Sequence, residues 1–126
     1  MRYADVAEGV RATIAAYTHA LDDGRTDDIV ATFCADGSSD MPGLTEAQGH
    51  DALHALYEQL TPSGAQRHLV SNTLVTDWSE NEATAVSDVV LIVKRETGWA
   101  VMFVGRYTDT LHCENDTWRF RRRVLT

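Results

Sequence analysis

The chain has 126 residues, a formal net charge of −8 and 44% hydrophobic residues. This is one domain, residues 1–126, with enough apolar content for a real core and no apolar run long enough for a membrane span. The acidic balance disfavours nucleic acid and anionic membrane surfaces, since both need a basic footprint. The start, MRYADVAEGVRA, lacks a basic-then-apolar signal pattern, so a cytoplasmic location is the expectation. Cys34 and Cys113 are too few and too far apart for a disulfide scaffold or a zinc site, and read as reduced, partly buried thiols.

Val6, Val10, Ile14, Tyr17 and Leu21 recur at helical spacing, which predicts an amphipathic helix from about Ala4 to Asp22. Gly24 ends it through a left-handed cap, and Thr26 caps a short second helix with Asp27 and Asp28 in its first turn. Ile29, Val30 and Phe33 are its apolar residues. "CADGSSDMPG" reads as a turn-rich connection. A third helix follows, His50 to Leu60, with Leu53, Leu56, Tyr57 and Leu60 inward.

After "TPSG" the period changes from helical to two. Strands are predicted near 67–77, 83–95, 99–113 and 117–125, divided by "SENE", "ETG" and "END". Helices first and a strand meander after them read as α+β, a curved antiparallel sheet with helices covering one face.

Strand alternation then sorts the charges. In the last strand Arg122 shares a face with Trp118, Phe120 and Val124, while Arg119, Arg121 and Arg123 fall on the other. Asp88 shares a face with Val86, Val90 and Ile92, but the opposite face of that strand is also apolar, so which one looks inward stays open. His68, in "RHLVSNTLV", shares parity with Val70, Asn72 and Leu74, and Tyr107 lies with Trp99, Val101 and Phe103. Inward charges are costly unless partnered, so His68, Asp88 and Arg122 on neighbouring strands point to one polar pocket in an apolar interior.

"YTHALDDGRTDDIVATFCAD", "GHDAL", "RHLVSN" and "GRYTDTLHCENDTWRFRRRVL", in that order, resemble the SnoaL-like branch of the nuclear transport factor 2-like superfamily. The resemblance implies an α+β cone, three N-terminal helices covering the concave face of a strongly curved sheet, with a deep apolar pocket. Its members include scytalone dehydratase, bile-acid 7α-dehydratase, hexachlorocyclohexane dehydrochlorinase, ketosteroid isomerase and polyketide cyclases. By that resemblance His68 is the catalytic base, Asp22 its partner, Tyr17 a pocket tyrosine, Asp88 a second carboxylate and Arg122 a pocket arginine. With Arg122, the inward aromatics Phe33, Tyr57 and Tyr107 make up the candidate substrate-binding set. The ketosteroid isomerases do not use this dyad, and the sequence departs from them there.

The implied activity is dehydration of a small apolar carbonyl compound, with an aldol-type cyclase or an isomerase as alternative. A non-catalytic binding or dimeric adaptor module is the reading from another class. No phosphate-cradling glycine loop or dinucleotide fingerprint occurs, so no cofactor is expected. "HDALH" mimics a zincin spacing but lacks the glutamate and a third ligand, so no metal is expected either. "DGSSD" has no serine-hydrolase context. Val89, Leu91 and Val93 beside Met102 and Val104 read as an apolar outer sheet face, which predicts a homodimer through it.

Overall fold

The helical stripe of the first twenty residues determines where everything else sits. In the computed structural model, which describes residues 1–126, helix α1 runs Tyr3–Asp22 and buries Val6, Val10, Ile14, Tyr17 and Leu21 on one side. It lies close against the last strand. A Cβ on Gly9 would meet the Trp118 ring at 2.3 Å, so only glycine permits this approach. One turn later the Thr13 hydroxyl donates to the Trp118 carbonyl at 2.6 Å. Gly24, at φ 68°, turns the chain out of α1 into α2 (Thr26–Ala31). Thr26 is the first residue of that helix, and no side chain caps it.

The remaining elements are β1 (Phe33–Asp40), β2 (Ala47–Gln48), α3 (His50–Glu58), β3 (Gln66–Trp78), β4 (Glu82–Arg95), β5 (Gly98–Glu114) and β6 (Thr117–Leu125). They form one curved, unclosed sheet in the order β2-β1-β6-β5-β4-β3, with the three helices against it. The architecture is α+β. One pair, β1 with β6, runs parallel, so the sheet is mixed rather than wholly antiparallel. The residues read as a turn, "DGSSD", are part of β1. That strand shows no apolar alternation because its inward positions include Ser38 and Ser39, both buried, and because its register with β6 breaks between Phe33 and Ser38. Gly37 lies where a Cβ would come within 2.7 Å of the Phe120 carbonyl.

Of the four register breaks in β3 to β6, three decide which candidate side chains look inward, and the fourth, at Thr76, lies near the end of β3. Asn72, at φ 56°, is an extra residue in β3 between the Ser71 and Leu74 pairings. In β5 the register steps at Met102, and in β6 it steps at Arg121. An extra residue turns every side chain after it to the opposite face. Val70, Thr73 and Val75 therefore face the helices, whereas Asn72 and Leu74, expected beside His68, face out.

In β4 the inner face is Ala83, Ala85, Ser87, Val89 and Leu91. The expectation that Val89 and Leu91 lie outside is thus corrected. The outer face carries Leu69, Leu74, Trp99, Val101 and Val104 instead, with Val104 71% exposed. No helix is long and apolar enough to cross a membrane.

Candidate active site

The last residue of α1 and the third residue of β3 meet at the edge of the sheet. Leu21 is drawn into the core, and that anchors the helix end so that Asp22 faces β3. His68 Nδ1 lies 2.6 Å from Asp22 Oδ1, and the His68 backbone N–H donates to Asp22 Oδ2 at 2.8 Å. Gln66 Nε2 adds a third donor to Oδ1 at 3.2 Å. The side chains are 7% and 6% exposed. A carboxylate so enclosed is tolerable because its oxygens are met by donors.

The same contacts define the tautomer. A carboxylate only accepts, so Nδ1 carries a proton, and in the neutral ring the lone pair is on Nε2. Nε2 has no protein partner and is not sealed from solvent. The ring stands edge-on to Phe103, with centroids 6.2 Å apart.

Behind the dyad the concave side is filled. Tyr17, Phe33, Tyr57, Tyr107 and Phe120 are all buried and in mutual edge or tilted contact, for example Tyr17 on Tyr57 at 5.7 Å and on Tyr107 at 6.2 Å. The Tyr17 and Tyr57 hydroxyls are 2.7 Å apart, and Tyr57 lies 2.9 Å from Ser39 Oγ. Burial raises Tyr17 well above the usual phenol range, and it pushes Tyr57 up to about 12 against the lowering effect of its hydrogen bonds to Ser39 and Tyr17. These are neutral phenols. The expectation that Tyr17, Phe33, Tyr57 and Tyr107 line an open cavity is corrected: they belong to a closed core.

The two remaining sequence candidates point away from the dyad. Asp88 lies on the outer face, where Asn72 Nδ2 donates to it at 2.8 Å and Arg106 Nε at 2.9 Å. Those two hydrogen bonds hold its carboxyl below the ordinary range. Arg122 is exposed and pairs with Glu46 and Asp40. The bulge at Arg121 is the cause, because it reverses the parity by which Arg122 was placed inside.

Arg123 takes the inward position instead, and sequence reasoning missed it. Its guanidinium is 1% exposed and stacks on Tyr107 at 3.4 Å, with the Tyr17 and Phe120 rings at 4.3 and 4.5 Å. Asp109, directly across on β5, places Oδ1 3.3 Å from Arg123 Nε, but the angles make no hydrogen bond, and neither group has another partner. Burial dominates there and pushes the Asp109 carboxyl up to about 6 although Arg123 pulls it down. Asp109 was legible, since it alternates with Tyr107 and Leu111. Arg123 was not, because nothing in three consecutive arginines marks a bulge.

The histidines of "HDALH" look in different directions. His50 Nε2 contacts the Phe33 carbonyl at 3.0 Å, and His54 faces Asp27 and Glu58.

A curved, open sheet sheltering three helices is the fold of a nuclear transport factor 2-like protein. The chain matches the SnoaL-like domain over residues 2–124 and belongs to that family, which comprises small-molecule-binding proteins and isomerase- and dehydratase-type enzymes. A Novosphingobium aromaticivorans protein provisionally named a scytalone dehydratase is 26% identical, with TM-score 0.81 over 94% of this chain and 80% of its own. Rv3472 of Mycobacterium tuberculosis, of unknown function, is 23% identical, with TM-score 0.86 over 94% of this chain and 69% of its own. A Catenulispora acidiphila protein solved with S-DNPA is 21% identical, with TM-score 0.85 over 97% and 92%. No curated protein matches the chain.

Proposed function

We propose that the protein is a proton-transfer enzyme of the dehydratase type acting on a small, largely apolar carbonyl compound. The observation that carries this reading is the two-point hold of Asp22 on His68, through the ring at 2.6 Å and the backbone at 2.8 Å. Such a hold removes rotational freedom from the imidazole and stabilises its protonated form, so that Nε2 is presented as a general base. His68 Nε2 takes a proton from the carbon next to the carbonyl, and the electron pair moves into an enolate. The enolate then expels hydroxide from the next carbon. The imidazolium returns its proton to that oxygen, and water leaves with an unsaturated carbonyl as product. The base ends as it began, and the sequence consumes no cofactor.

One observation favours a second reading. Asp88, which would have assisted a leaving group, lies on the opposite face of the sheet. The imidazolium is then the only acid at the site, an arrangement equally suited to isomerisation or aldol closure through the same enolate.

Both readings are tested by exchange of the α-proton for solvent deuterium in a panel of small hydroxy-ketones, followed by NMR. His68→Ala should abolish exchange. Exchange that persists in His68→Ala at the wild-type rate would sink both. Product without loss of water would select the second.

The outer faces of β3, β4 and β5 expose Leu69, Leu74, Val101 and Val104 around the Asp88–Arg106 pair. We infer that this face closes a homodimer, since exposed apolar patches of this kind mark interaction surfaces. A monomer in sedimentation at micromolar concentration would contradict it.

A further inference from the structure

Asp22 Oδ1 is shared by two donors, and only one of them belongs to the histidine. His68 Nδ1 lies 2.6 Å from it and Gln66 Nε2 donates to it at 3.2 Å, while Oδ2 takes the His68 backbone N–H. The two contacts on Oδ1 are unequal. The first is shorter than the usual N–H···O span of about 2.7–3.2 Å, and the second lies at its long end. The ring dominates, and the amide acts on it through the oxygen they share.

The seat of Gln66 is fixed by backbone structure on both sides. It is the first residue of β3 and is paired with Val93 on β4. The carbonyl of Ala65, just before it, accepts from the Lys94 N–H at 3.0 Å. The register runs unbroken from Gln66 to Ser71, so Gln66, His68 and Val70 share the inner face. On the helix side, the Gly24 turn packs against the connection from α3 to β3. A Cβ on Gly24 would lie 3.3 Å from Thr61 Cγ2 and 3.5 Å from Pro62 Cδ. The end of α1 and the start of β3 are therefore held together at this turn as well as at the carboxylate. A carboxylate only accepts, so the amide must present its NH₂ to Oδ1.

A donor on a carboxylate oxygen stabilises the anion and so reduces its pull on a second donor. The imidazolium that forms when His68 takes a proton depends on that same pull. A neutral amide weakens it a little. An ammonium in its place would weaken it strongly, and a thioether not at all.

We propose that Gln66 is a positioning residue that sets the strength of His68 as a base by competing for Asp22 Oδ1. Its catalytic consequence rests on the proton-transfer reading of His68, but the competition itself is a property of the resting dyad.

The Hδ1 proton of His68 reports that competition without any substrate. Its resonance, read in protein carrying ¹⁵N-histidine and identified by its loss in His68→Ala, moves downfield as the bond to Oδ1 strengthens. Gln66→Met keeps a stem of similar length but no donor, and should move it downfield. Gln66→Lys supplies a charged donor and should move it upfield. A side chain that only supports the fold has no reason to displace it in opposite directions. Exchange of the α-proton, at a pH where the ring is neutral, should rise about two- to threefold in Gln66→Met and fall about tenfold in Gln66→Lys, with KM unchanged in both. In an Asp22→Asn background Gln66→Met should change the rate no further, since the shared acceptor is gone. Displacements of the same sign in the two variants, or none in either, would overturn the role of Gln66 while leaving the dyad standing. Should one variant fail to fold, the sign in the other decides. Exchange that survives His68→Ala at the wild-type rate would overturn the proton-transfer reading whatever the resonance does.

Discussion

Two buried aspartates face two strand-borne bases in this molecule, and they are held in opposite ways. Asp22 receives three hydrogen bonds, from the His68 ring, the His68 backbone and Gln66. Asp109 lies 3.3 Å from Arg123 and receives none. The first pair is a satisfied network at an accessible seam, where orientation is fixed and one nitrogen is left free to react. The second is an ion pair inside an aromatic cluster, where desolvation dominates and the polar atoms of both side chains are buried without a hydrogen bond. Proximity alone does not make a site. Satisfaction of every polar atom but one does.

The largest expected effect comes from removing the reactive partner of the first pair. His68→Ala should lower turnover by about 10²–10⁴-fold, measured as α-proton exchange under saturating substrate. Asp22→Asn should fall in the same range with binding intact. The His68 backbone N–H sits on Oδ2 and can only donate, so the asparagine carbonyl turns to it; the NH₂ then takes the Oδ1 place and faces Nδ1, and the Gln66 amide flips to present its oxygen. That reverses the tautomer and puts a proton on the nitrogen that must act as base.

Next comes the second pair, where the effect is on stability. Arg123→Met alone should cost about 3–5 kcal/mol in urea unfolding, because it strands a buried carboxylate. The double variant with Asp109→Leu should recover most of that loss. If the double variant costs the sum of the two single variants, the pair is not coupled as described.

The pH dependence sharpens the contrast further. The Asp109 carboxyl is raised from 3.8 to about 6 in the folded protein, so the fold binds its proton more tightly than the unfolded chain does. Its stabilising contribution is complete below the unfolded value and is lost as pH rises through about 6. Asp109→Asn should therefore flatten the fall in stability between about pH 4 and 6 seen in the wild type. Asp88 is shifted downward and has the opposite sign, its contribution being lost as pH falls. A wild-type profile identical to that of Asp109→Asn would contradict this account. The smallest effect belongs to Arg122→Ser. Its exposed pairs with Glu46 and Asp40 should contribute under about 1 kcal/mol, although it is adjacent in sequence to Arg123.

That adjacency shows how much a sequence can reveal here. Periodicity located the three helices and the four long strands to within a few residues. It failed at β1, whose buried Ser38 and Ser39 satisfy the sheet without any apolar signal. Within strands, alternation held until each bulge and reversed after it. His68 and Val70 lie before Asn72 and were placed correctly relative to each other, while Leu74 lies after it and was not.

β4 is apolar on both faces, so its sidedness awaited the structure. The inner face proved to be the one with Ala83, Ala85 and Ser87, small residues at inward positions on a sheet that the helices cover. Asp22 and His68 are forty-six residues apart. Their meeting was legible only through the family pattern, since nothing local in either segment names the other.

The central claim is that Asp22 presets His68 as a base with a bare Nε2. Two-bond ¹H–¹⁵N correlation of the imidazole, at a pH where the ring is neutral, reads this directly. The account predicts an Nδ1-protonated His68 in the wild type that switches to the Nε2-protonated form in Asp22→Asn. An Nε2-protonated ring in the wild type would contradict it.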